Sequence, residues 1–108
     1  MLKDFIKEAS TQGCIAIGFS RPLRPLYWEQ FESWLAEKNY GQMSWLSRNG
    51  ELRKEPKNLL HSCKTIISLA FPYSWKKPVT TDGFSVARYT QPDRTDYHEE
   101  LRQRCRGL

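Results

Sequence analysis

Leu2, Phe5, Ile6 and Ala9 return at three- and four-residue intervals, the spacing that puts side chains on one face of a helix. Gly13 stands just beyond, where a left-handed turn out of that helix needs a residue without a Cβ. The run Cys14-Ile15-Ala16-Ile17-Gly18-Phe19 has no such period and predicts a short buried strand. Pro22 and Pro25 make residues 20–25 a loop, because neither ring can donate a backbone hydrogen bond. Tyr27, Trp28, Phe31, Trp34 and Leu35 resume helical spacing as a broad aromatic stripe that ends near Asn39-Tyr40-Gly41. Such a stripe is either a packed core face or a stacking surface, and the amphipathic period favours core. Met43, Trp45 and Leu46 predict one or two further helical turns stopped by Asn49-Gly50, and Leu59-Leu60 a single turn after Pro56.

The clearest strand is Thr65-Ile66-Ile67-Ser68-Leu69-Ala70-Phe71, β-branched and apolar on both parities, as a central strand covered on two faces would be. A connection over residues 72–83, with Lys76, Lys77, Pro78 and the turn pair Asp82-Gly83, is expected to be mobile. Residues 84–89 predict another strand. A helix beginning near Asp96 closes the chain, with Tyr97, Leu101 and Cys105 at four-residue steps. The sum is an α+β fold: a small central sheet with helices packed against it, in one domain over residues 1–108.

Composition narrows the function classes. With 108 residues, 39% hydrophobic and 13% aromatic, the chain has material for one compact core and not for a multi-domain enzyme by itself. No apolar run approaches the roughly 20 residues a bilayer span needs. The N-terminus lacks the apolar core of a secretory signal, so a cytoplasmic protein with no membrane partner is expected. Cys14, Cys63 and Cys105 are odd in number and widely spaced, matching neither a disulfide framework nor a C-x-x-C metal motif. Each is expected to be a small core or surface thiol. The net charge of +5 is uneven: residues 1–50 hold six Lys/Arg against five Asp/Glu, and residues 51–108 hold eleven against seven. A basic second half is compatible with a phosphate-bearing partner.

No nucleophile–base pair, Gly-rich phosphate loop or His-containing ligand spacing marks a site on its own. What stands out is an ordered constellation. Gly41-Gln42-Met43-Ser44-Trp45-Leu46 is followed by Arg53-Lys54-Glu55-Pro56-Lys57-Asn58-Leu59-Leu60, then by the strand after Cys63-Lys64. Val86-Ala87-Arg88-Tyr89 and Asp96-Tyr97-His98 come next. This succession resembles the N-terminal part of the epoxyqueuosine reductases, cobalamin-dependent enzymes of queuosine biosynthesis. Their pattern runs G-x-M-x-(Y/W)-(L/M), R-x-x-P-x-x-L-L-P, an apolar strand, (S/A)-R-Y and D-Y-H. Two departures stand out: His61 replaces the Pro after the paired leucines, and the segment from Arg88 to Asp96 is two residues longer with Pro92 near the usual Gly. Since Pro92 fixes φ where Gly can turn left-handed, a different loop path is expected.

The resemblance implies an oxidoreductase that reduces epoxyqueuosine to queuosine in tRNA. Its first domain holds a corrinoid, its second two [4Fe–4S] clusters, and a C-terminal helical repeat helps to grip tRNA. The cluster run C-x2-C-x2-C-x3-C-P does not occur in this sequence. The family's proton-donating Asp lies downstream of D-Y-H, so no catalytic residue and no metal ligand is assigned here. This chain is accordingly expected to be an incomplete corrinoid-binding domain, inactive alone, with cobalamin as its cofactor and tRNA as its partner. The missing downstream domains, or self-association, are expected to complete it. The resemblance makes Arg53, Ala87, Arg88, Asp96 and Tyr97 the candidate cofactor-binding residues. A guanidinium can fork onto amide or phosphate oxygens, and a small Ala admits close approach to a ring.

Each candidate also has a plainer reading. Arg53 is equally a solvated cation before a loop, and Arg88 an edge charge on a strand. Asp96, with Glu99 three residues on, has the spacing of a reciprocal helix cap. Tyr97 shares a side with Leu101 and is expected to be partly packed. His98 is a proton relay or an ordinary helix-surface histidine. Arg102, Arg104 and Arg106 are expected to form a solvated helix end compatible with the dipole. The alternative function is a non-catalytic basic module that contacts tRNA or a partner protein.

Overall fold

The structure is a computed structural model that describes residues 1–91 and 94–108. The expectation attached to Pro92 lies outside the described residues. The order of elements is α1 (Leu2–Thr11), β1 (Ala16–Ser20), α2 (Trp28–Ala36), α3 (Gly50–Lys54), β2 (Ile66–Ala70) and α4 (Tyr97–Arg106). Two 3₁₀ turns, Ser44–Ser47 and Pro56–Asn58, flank α3. The fold is a small α+β arrangement in which β1 and β2 pair antiparallel as a two-stranded sheet. Compactness divides the chain into one unit made of Met1–Gly18 with Ser68–Leu108, and another made of Phe19–Ile67.

In the first unit, α1 forms where the spacing of Leu2, Phe5, Ile6 and Ala9 predicts it, and Ala9 is fully buried. The chain leaves α1 through Gly13 at φ +90°, a conformation that an L side chain resists. The Cys14 amide then donates to the Ala9 carbonyl at 2.9 Å, and the Ile15 amide donates to the Ala70 carbonyl at 2.9 Å. These bonds bring the N-terminal helix directly onto the strand ladder. The far ends of α1 and α4 also meet, since a Cβ built at Gly107 would stand 3.5 Å from the Gln12 side-chain nitrogen.

The second unit is organised by its aromatic stripe. Trp28, only 5% exposed, meets Phe31 edge-on at 5.5 Å. Phe31 stacks on Trp34 at 6.0 Å, and Trp34 reaches Tyr40 at 6.1 Å. The stripe is thus a ladder of rings in mutual contact, buried at its Trp28 end and half-exposed further along. Lys54 of α3 lies 4.0 Å from Glu32 of α2, and the Asn58 side chain donates to the Glu51 carbonyl at 3.4 Å.

Three strand expectations are corrected. The strand over 14–19 starts later, at Ala16, and is mostly exposed, with Ile15 beside it 70% exposed. The strand over 65–71 forms, but in a two-stranded sheet it is not a central strand. Residues 84–89 form no strand; they run irregularly into a turn at Arg88 and Tyr89, closed by the Thr90 amide donating to the Ala87 carbonyl at 3.0 Å. A β-prone segment becomes a strand only where a ladder partner faces it, and among the described residues none does. A fourth difference lies at Asn49-Gly50, which starts α3 instead of only ending the preceding turn. Asn49 takes φ +57°, tolerable for an Asn, and redirects the chain into the new helix.

Candidate functional site: a tyrosine-walled pocket

The exit of β2, the turn at 88–89 and the N-terminal half of α4 surround a pocket of about 290 Å³ in the first unit. Phe71, Pro72 and Leu101 give it an apolar floor, and Tyr73, Tyr89 and Tyr97 wall it. The three rings meet edge to face, Tyr73 to Tyr89 at 6.3 Å and 85°, Tyr89 to Tyr97 at 5.1 Å and 67°. That geometry aligns ring edges with ring faces, the arrangement aromatic quadrupoles prefer. Gln91, Arg94, Thr95, Glu100 and Arg104 supply the polar rim. An apolar body with a few convergent polar groups is the general make-up of small-molecule sites.

Helix α4 sets the position of Tyr97. Asp96 caps it, its Oδ1 accepting from the His98 amide at 2.9 Å with the His98 ring Nδ1 also 2.8 Å away. The expected reciprocal box is only half made, because Glu99 turns forward to Arg102 at 3.0 Å and to Gln103 at 3.1 Å. The amide bond first, and the ring contact second, hold the Asp96 carboxyl below its ordinary 3.8. A depressed folded pKa stabilises above the unfolded value, and that contribution is lost as pH falls through the depressed value. Asp96→Asn, which keeps a capping side chain, is therefore expected to flatten the acid limb of stability below about pH 4 without abolishing α4. Circular dichroism at the helical minimum during an acid titration checks this.

Arg104 overturns the expectation of a solvated helix end. Its guanidinium carbon sits 5.5 Å from the centre of the Phe71 ring, and it pairs with Glu100 one turn earlier. Its Nη1 also lies 3.1 Å from where a Cβ on Gly13 would stand. Helix α1 has no basic residue in its last turn, so Arg104 brings a cation to that helix C-terminus. One side chain ties α1, the exit of β2 and α4 together beneath the pocket. On the same helix Cys105 is exposed, a surface thiol.

The sequence-predicted candidates are placed as follows. Tyr97 lines the pocket, and Asp96 caps the helix that carries it. Ala87 and Arg88 belong to the turn that delivers Tyr89, with their carbonyls accepting from the Thr90 amide and, at 2.7 Å, from the Gln91 side chain. All four lie in the first unit. Arg53 lies in the second, in the last turn of α3, where its Nη1 donates to the Leu46 carbonyl. It fastens α3 to the preceding 3₁₀ turn. Sequence patterning does not single out Tyr73, Tyr89, Arg94 or Glu100. The signal available is three tyrosines at 73, 89 and 97 around two predicted turns. Among the described residues, no three His, Cys, Asp or Glu side chains cluster as a metal site, and no helix is long and apolar enough to cross a membrane.

Fold and site together define a small α+β protein with a tyrosine-walled pocket in its first unit, and likeness to known proteins assigns its family. Residues 53–108 match the family described as "Epoxyqueuosine reductase QueG, DUF1730". The chain is 34% identical over 114 residues to the epoxyqueuosine reductase of Xanthomonas campestris pv. campestris, covering 99% of this chain and 31% of the relative. It is 32% identical over 85 residues to the Yersinia pestis epoxyqueuosine reductase, covering 73% of this chain and 20% of that protein. The Escherichia coli epoxyqueuosine reductase is 33% identical over 88 residues, covering 73% and 22% respectively. The chain belongs to the epoxyqueuosine reductase family and corresponds to its N-terminal part. It spans between a fifth and a third of the length of these relatives. No solved structure matches it.

Proposed function

We propose that this chain is the corrinoid-side domain of an epoxyqueuosine reductase, a segment that shapes one wall of the reaction site and does not turn over alone. The observation that supports this most is that the tyrosine-walled pocket lies wholly within residues 53–108, the stretch that matches the family. Tyr97 lines it, and Ala87, Arg88 and Asp96 stand at or beside the elements that carry its rings. A corrinoid supplies, when bound, a reducible cobalt centre for removing the epoxide oxygen of a modified tRNA base.

The donor set suits part of such a ligand. Phenol hydroxyls and the Arg88 and Arg94 guanidinium groups match peripheral amide and phosphate oxygens, and the ring faces match a flat macrocycle edge. A pocket of about 290 Å³ is at the bottom of the range that encloses even a drug-sized ligand. These residues therefore hold one edge, and other parts of a full-length reductase close over the rest. Arg53, in the other unit, does not line this pocket. The [4Fe–4S] clusters and the tRNA-gripping repeat belong to the full-length family.

Cob(II)alamin added to the purified chain is expected to change its visible spectrum and to co-elute in gel filtration. Tyr97→Ala is expected to weaken that uptake about tenfold, the effect of removing one well-packed ring. An unaltered spectrum with no retention overturns the cofactor assignment.

A further inference from the structure

Beside the pocket, outside its lining except for Ser74, runs a short exposed strap: Ser74, Trp75, Lys76 and Lys77. Trp75 is 86% exposed, and both lysines face solvent. The strap is not loose. The Lys76 amide donates to Ser74 Oγ at 3.2 Å, and Gln91 Nε2 donates to the Lys76 carbonyl at 3.2 Å and to the Arg88 carbonyl at 2.7 Å. One amide side chain thus staples the strap to the turn that carries Tyr89.

The charges around it are unbalanced. In the same unit, Asp82 accepts from the Phe84 amide, Asp96 is taken by His98, Glu99 by Arg102 and Glu100 by Arg104. Among the described residues, Lys76, Lys77, Arg88 and Arg94 enter no ion pair. A bare indole, three tyrosine rings and four cations on adjoining elements make the combination that tracks a single-stranded nucleic acid, with rings for base faces and cations for phosphates. A lipid surface would ask for a continuous apolar face, which the two lysines and the polar rim interrupt.

We propose that the strap of residues 74–77 is a nucleic-acid contact in its own right, in which Trp75 stacks on an unpaired base next to the one at the pocket while Lys76 and Lys77 meet its phosphates. The inference rests on the pocket reading above for what lies next to that base. Gln91 is then a positioning residue, holding the indole at a fixed offset from Tyr89.

The test is fluorescence anisotropy of a labelled single-stranded RNA of about a dozen nucleotides against the 108-residue chain, between about 50 and 200 mM salt. Trp75→Ala is expected to weaken binding about tenfold with the salt slope unchanged. The double variant Lys76→Ala/Lys77→Ala is expected to lower the slope of log affinity on log salt by about 1.4, about 0.7 for each phosphate no longer neutralised. Gln91→Ala, which frees the strap, is expected to weaken binding several-fold while leaving that slope in place. The Trp75 and double-lysine variants, which lie outside the pocket lining, should keep the cobalamin spectral change, so the strap and the corrinoid reading fail separately. RNA binding equal to wild type in the Trp75 and double-lysine variants overturns the proposal. So does a blue shift of Trp75 emission on phosphatidylglycerol vesicles without any response to RNA.

Discussion

Trp28→Ala is expected to destabilise the chain by about 3–5 kcal/mol, the usual cost of emptying a buried aromatic site. Trp28 is the one buried aromatic ring among the described residues, and it anchors the contact to Phe31 from which the ring ladder of α2 continues. A small protein holds only about 5–15 kcal/mol in total, so the substitution takes a large share of it. Urea denaturation followed by circular dichroism should show the midpoint collapse. Trp28→Phe sharpens the test. The indole Nε1–H is buried without a protein partner among the described residues. Phe keeps most of the ring area and removes that orphan donor, so its cost should be no more than about half that of Ala. Equal losses for Phe and Ala would mean that the indole N–H, not the ring area, is what stabilises this position.

Gly13→Ala is expected to cost about 1–3 kcal/mol, because an alanine at φ +90° is strained before any contact is considered. The new Cβ would also press on the Arg104 guanidinium at 3.1 Å. Arg104 lines the pocket and packs on Phe71, so the disturbance reaches the site. Two readouts separate the contributions: the urea midpoint reports the backbone strain, and cobalamin uptake reports the pocket. Arg104→Ala removes the guanidinium without straining the turn, and is expected to reproduce the loss of uptake with a smaller loss of stability.

The helices were legible because their signals are local. Leu2, Phe5, Ile6 and Ala9 with Gly13 define α1 by period and exit, and Asp96 announces α4 by its cap. The strands were legible only as apolar runs. Whether such a run is central, edge or no strand at all depends on what lies beside it, and the 84–89 stretch shows that β-branched and aromatic content does not supply a partner. Helix α3 was hidden because Asn-Gly is a turn signal whether the chain stops there or starts a new helix, and only the left-handed Asn49 settles which. In the site, Tyr97 and its cap could be read from sequence, since one short motif holds both. Tyr73, Tyr89 and Arg104 could not, because they meet through tertiary approach of the β2 exit, a turn and two helix ends. Arg104 in particular looks like one of three alternating arginines at a helix end, and only its neighbours Phe71 and Gly13 distinguish it.

Strands β1 and β2 are joined through residues 21–65, so their ribbon is a non-local feature of this molecule. Loop-closure entropy opposes that meeting before any ladder bond has formed, and two strands alone offer little enthalpy in exchange. Helices α1 and α2 need only neighbours in sequence to nucleate. Loop-closure entropy therefore favours helices that form locally over the ribbon, which must first join distant stretches of the chain.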